Sequence, residues 1–96
     1  MTFKEAIISY DSLLLDFYSK DCPPCLVQEE ILKDLQVKDS TLCKVLQVDK
    51  NRNPEVFKLF RVKHLPHLKY FKKTKPMWEY TGILEQEEIE SRIVNA

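Results

Sequence analysis

The sequence predicts an α/β domain in the order α-β-α-β-α-β-β-α, with a mixed sheet of about four strands and helices on both faces. Three observations carry this. Apolar runs of strand length alternate with stretches of helical period, which gives a parallel section of sheet. Two further strand-like runs lie close together near the end and add an antiparallel hairpin. Ninety-six residues, 44% hydrophobic and 31% charged, suffice for one modest core, so residues 1–96 form one domain.

Thr2-Phe3-Lys4-Glu5 fits a capping box and opens a short helix from about Phe3 to Ser9. Leu13-Leu14-Leu15-Asp16-Phe17-Tyr18 is a continuous apolar run with one carboxylate inside it, suited to a strand covered on both faces. Asp21-Cys22-Pro23-Pro24-Cys25 follows and leads into a helix to about Leu35. Its prolines occupy the first turn, where their missing N–H groups have no intrahelical partner to lose. Val27, Ile31 and Leu35 repeat at i, i+4 and i+8 and predict its buried face.

Leu42 to Val48 reads as a second strand, with Cys43 an inert core residue. Asn53-Pro54 is an N-cap followed by a proline at the first helical position, and Val56, Phe57, Leu59 and Phe60 give that helix a wide apolar face. His67–Phe71 and Met77–Thr81 are the hairpin strands, joined by a turn over Lys72–Pro76 and ended by Gly82. Trp78 and Tyr80 share one face and pack under the final helix, which runs from about Glu85 to Val94 and turns Ile89 and Ile93 inward.

Fifteen basic and fifteen acidic residues leave no net charge. A nucleic-acid binder normally carries a basic excess, so that class is set aside. A single glycine argues against a glycine-rich phosphate loop. Three cysteines are too few for a disulfide-dense secreted scaffold. Acidic residues interrupt every apolar stretch of the first eighteen residues, so neither a secretory signal nor a membrane span is expected, and the expected location is the cytoplasm.

The chemistry concentrates at Cys22 and Cys25. Two thiols with two residues between them can close a small disulfide ring. At a helix N-terminus, free amides and the helix dipole favour the Cys22 thiolate. Cys25, one turn in, is expected to be more buried and less acidic. Cys22 then attacks a partner's disulfide, and Cys25 resolves the mixed disulfide. The resolving thiol needs a base, and Asp16 is the carboxylate inside the strand leading to the motif; burial raises such a group toward neutrality. A competing reading is a zinc site formed by Cys22, Cys25, His64 and His67. Against it stand the short His-x-x-His spacing, the 38 residues between the two pairs, and the prolines between the sulfurs. A third reading is a redox-silent binding module; the intact Cys22-Pro23-Pro24-Cys25 argues against that.

Nearly the whole chain resembles the thioredoxin family. The resemblance rests on the apolar strand ending Asp16-Phe17-Tyr18 before Cys22-Pro23-Pro24-Cys25, on Val45-Leu46-Gln47-Val48-Asp49, on Val62-Lys63-His64-Leu65-Pro66, and on the hairpin, Gly82 and closing helix. It implies the following roles. Cys22 is the nucleophile, Cys25 the resolving thiol and Asp16 the buried proton-transfer group. Pro66 is a cis proline opposite the dithiol, with Leu65 offering backbone hydrogen bonds to an extended substrate segment. Asp21, Pro23, Pro24, His64 and His67 border that substrate site. The implied activity is reduction of protein disulfides without a bound cofactor or metal, with a reductase or small thiol as electron donor.

The chain also departs from the family pattern. Pro-Pro replaces Gly-Pro between the cysteines. Asp21 replaces the aromatic before the first cysteine, where a carboxylate disfavours the Cys22 thiolate. The lysine that family members pair with the buried aspartate falls on Val45. A helix stands in place of the family's first strand, which leaves the 42–48 strand as a sheet edge. That predicts either a monomer protected by Lys44 or a weak edge-paired dimer.

Overall fold

The computed structural model describes residues 2–96. They form α1 (Phe3–Ser9), β1 (Ser12–Tyr18), α2 (Pro23–Lys38), β2 (Lys44–Asp49), α3 (Pro54–Leu59), β3 (His67–Lys72), β4 (Lys75–Thr81) and α4 (Gln86–Val94). This is the predicted order. The capping box forms: Thr2 Oγ1 accepts the Glu5 N–H and Glu5 Oε1 accepts the Thr2 N–H, each at 3.2 Å. Asn53 stands at the N-cap of α3, but its side chain makes no capping bond; its amide donates to the Asp49 carbonyl at 3.3 Å instead.

The sheet order is β2-β1-β3-β4. β1 runs parallel to β2, with Asp16 beside Gln47, and antiparallel to β3, with Phe17 beside His67 and Asp16 beside Leu68. The hairpin turn is tighter than expected. Lys73 and Thr74 alone connect β3 to β4, both with positive φ (48° and 71°), the pattern of a two-residue turn whose twist matches its strands.

β1 is the central wall of the domain. Leu13, Leu15 and Phe17 point into one core with Ala6 of α1, Val56 and Phe57 of α3, Val48 and Phe71. Leu14 points into the other with Leu32 and Leu35 of α2, Leu68, Tyr70, and Ile89 and Ile93 of α4. Both faces are covered by helices, which is why β1 reads as an unbroken apolar run. Trp78 and Tyr80 pack against the second core, with the Arg92 guanidinium of α4 over both rings at 5.4 and 5.3 Å. Cys43 is buried, and burial pushes its thiol up to about 11.

Two predicted faces are corrected. The inward residues of α2 are Cys25, Gln28, Leu32 and Leu35, whereas Val27 is 49% exposed. The buried stripe includes a glutamine, which an apolar count skips, so the predicted face was rotated. On α3, Val56 and Phe57 are buried but Leu59 is 70% exposed. The helix ends at Leu59, and Phe60 returns to the core beside Phe3, Phe17 and Phe71.

β2 is an edge: among the described residues no strand pairs with its outer side. It begins at Lys44, two residues later than predicted. No helix of the described residues is long and apolar enough to cross a membrane.

Candidate active site

The site lies where β1 ends and α2 begins. Cys22 is the N-cap of α2, and Pro23 and Pro24 fill the first two helical positions. An N-cap side chain meets the free amides of the first turn; here the Cys22 Sγ accepts the Cys25 N–H at 3.2 Å. Cys22 and Cys25 are joined as a disulfide with Cα atoms 5.2 Å apart. Cys22 is partly exposed, while Cys25 is 3% exposed. The two sulfurs are therefore inequivalent: one meets solvent at a helix N-terminus and the other sits beneath it.

Asp16 is fully buried on the face of β1 covered by α2. Its Oδ2 accepts a long hydrogen bond, 3.4 Å, from Gln47 Nε2, and its Oδ1 has no partner among the described residues. Burial, reinforced by the nearby Glu29 charge, pushes its carboxyl up to about 6, against the opposing effect of the Gln47 bond. Val45 lines the same groove, so the position where the resemblance placed a lysine holds an apolar side chain.

The Leu65–Pro66 peptide is cis. Pro66 is fully buried and accepts the Gly82 N–H at 2.8 Å. It immediately precedes the Phe17–His67 pair, level with the end of β1 from which the dithiol motif departs. Leu65 is partly buried against the α1/α3 core. Asp21, Pro23, Pro24 and His64 are exposed.

His67 is placed differently from its expected role. It is 7% exposed and lies on the α1/α3 face with its ring edge-on to Phe17. Both ring nitrogens are engaged on β4, Nδ1 with Thr81 Oγ1 at 2.8 Å and Nε2 with Glu79 Oε1 at 2.9 Å. The four residues of the zinc reading are not assembled. Among the described residues no three His, Cys, Asp or Glu side chains are grouped to hold a metal ion.

Two residues of the site region escaped the sequence reading. In the sequence Gln47 reads only as part of a strand, and its contact with Asp16 follows from the β1–β2 register. Gln28 sits fully buried on α2 beneath the loop before α4. No signal in the sequence marks it, because the buried stripe of α2 is selected by packing onto the sheet.

The comparisons with known proteins agree with this geometry. The family model described as Thioredoxin matches residues 1–95. The chain is 25% identical to a thioredoxin of Alicyclobacillus acidocaldarius over 97% of this chain and 89% of that protein. It is 33% identical to a thioredoxin of Rickettsia bellii over 74% of this chain and 69% of that one. Among solved structures, chloroplastic thioredoxin z superposes with a TM-score of 0.88 at 27% identity, covering 96% of this chain and 84% of that chain. Oxidised mitochondrial thioredoxin 3 of Saccharomyces cerevisiae gives 0.87 at 22% identity, covering 98% and 87%. The chain belongs to the thioredoxin family, and its Cys22–Cys25 pair makes it a thiol–disulfide oxidoreductase in the general sense.

Proposed function

We propose that the chain reduces disulfide bonds of protein partners. The observation that carries this is the inequivalence of the two sulfurs: Cys22, partly exposed at the helix N-cap, and Cys25, buried one turn below it. In the reduced protein the Cys22 thiolate attacks one sulfur of a partner disulfide. A Cys22–partner bond forms and the other partner sulfur leaves as a thiolate. Asp16 takes the Cys25 thiol proton. The Cys25 thiolate then attacks Cys22 Sγ, closing the intramolecular disulfide and releasing the second partner sulfur, which takes up a proton. A carboxyl poised near pH 6 suits that proton transfer.

The exposed Asp21, Pro23, Pro24 and His64 frame the approach to Cys22, and the backbone at Leu65, before cis-Pro66, meets an extended partner segment. His67, held by Thr81 and Glu79, supports the sheet behind that strand rather than touching the partner. A reductase or small thiol returns electrons to the disulfide, no resident cofactor takes part, and the reaction runs in the cytoplasm. Insulin-disulfide reduction tests the reading: Cys22→Ser should lose activity to background, and a variant reducing at the parent rate would sink the assignment.

A further inference from the structure

We infer that Gln47, on the open edge strand β2, is the positioning residue that sets the proton affinity of Asp16 and connects that buried carboxyl to solvent. This rests on the proposed role of Asp16 in resolving the mixed disulfide.

Three observations converge. First, Asp16 is sealed by protein, with no exposed surface, and the hydrogen bond from Gln47 Nε2 is the one its carboxylate receives from a side chain among the described residues. Secondly, Gln47 is itself exposed. Because no strand covers the outer side of β2, one side chain spans from the buried carboxyl to water. Thirdly, the two residues line an open groove of about 480 Å³ between β2 and α2, shared with Glu29 and Lys33. The groove wall is mostly apolar, with Leu32, Val37 and Val45 beside these polar groups, so the Gln47 amide is the polar link by which a proton taken from Cys25 and held on Asp16 meets water.

The groups facing Asp16 are few. From α2 come Glu29, whose charge works against ionisation, and Lys33, whose ammonium is held 3.2 Å from Glu29 and 3.7 Å from Glu30. From β2 comes Gln47, which does not titrate, and from β3 the register neighbour is the apolar Leu68. A neutral donor favours the carboxylate only modestly, so the identity of residue 47 has direct leverage on the proton.

The test is the titration of the Asp16 carboxyl carbon, followed by NMR in the oxidised protein, for Gln47→Leu and Gln47→Lys. Loss of the donor in Gln47→Leu should move the midpoint up from about 6 by about half to one pH unit. The ammonium of Gln47→Lys should move it down by about one pH unit or more. The pH profile of disulfide exchange should move in the same directions, while cooperative unfolding shows that both variants fold. Midpoints that stay put or move the same way in both variants overturn the proposal, as does a pH profile that ignores a shifted Asp16. Should Gln47→Leu not fold, Gln47→Lys alone decides by its direction. A parent chain inactive in exchange overturns the oxidoreductase mechanism instead, a result the NMR titration keeps separate.

Discussion

The Gln28 side chain grips Leu84 by both ends of its backbone. Gln28 Oε1 accepts the Leu84 N–H at 2.7 Å, and Gln28 Nε2 donates to the Leu84 carbonyl at 3.1 Å. Both residues are buried, 56 positions apart in the chain. The pair fastens α2, the helix carrying the dithiol, to the loop that leads into α4. Gln28→Leu leaves a buried N–H and a buried carbonyl without partners, at a cost of about 1–3 kcal/mol each when unsatisfied. Urea denaturation should show a loss of about 2–4 kcal/mol. A loss below about 0.5 kcal/mol would mean that water replaces the amide at no cost.

Asp16 gives the domain a pH-dependent stability. Its carboxyl is raised from 3.8 to about 6 on folding, so between those values the native state holds a proton that the unfolded chain has released. Stability therefore falls as pH rises through that window and stays lower above it, by about 3 kcal/mol over its full span. Asp16→Asn removes this slope. Denaturation of the oxidised protein from pH 4 to 8 should find variant and parent diverging as pH rises, with the variant the more stable at pH 8.

Cys25→Ser should trap the intermediate. Cys22 remains able to attack, but nothing closes the ring, so a covalent Cys22–partner adduct accumulates. Mass spectrometry after mixing with a disulfide-bonded protein should find the adduct with this variant and not with Cys22→Ser.

Asp21 places a carboxylate one residue before Cys22, the thiol proposed to attack, and is exposed. Asp21→Asn removes that repulsion, and the thiolate absorbance of the reduced protein should appear at lower pH than in the parent. The change should be under about one pH unit because the site is solvated. An unchanged titration contradicts an electrostatic role for Asp21.

The open edge of β2 carries the exposed Lys44, its ammonium 5.7 Å above the Tyr10 ring. A charge there opposes strand-to-strand pairing between copies. Lys44→Val leaves Val-Val-Leu-Gln-Val along the edge, and light scattering at rising concentration should show self-association stronger than in the parent.

Element order was legible because both cues were local: apolar runs marked β1 and β3, and prolines marked the starts of α2 and α3. The dithiol and the buried Asp16 were legible through the motif at the strand–helix junction. What escaped depended on distant contacts. Val27 and Ile31 looked as apolar as Leu32, and only packing onto the sheet selects the stripe that includes Gln28. Lys73 and Thr74 carry no glycine or asparagine, so nothing in their identities announced two left-handed residues; the pairing of β3 with β4 imposes them. His67 looked like a free ligand beside His64, because the hydrogen bonds that occupy it come from Thr81 and Glu79 on the next strand. The Asp16–Gln47 contact required the parallel register of β1 on β2, which side-chain alternation alone does not supply.

β1 is hydrogen-bonded along both edges, to β2 and to β3, and every residue from Leu13 to Phe17 is buried. Its amides should exchange with deuterium only when the whole domain unfolds, whereas the outward amides of β2 should exchange through small local openings. The dithiol is tethered to the end of that slowest segment by Ser19, Lys20 and Asp21 alone. A reaction centre anchored there keeps its geometry for as long as the domain is folded, so loss of either core disarms it in the same cooperative event.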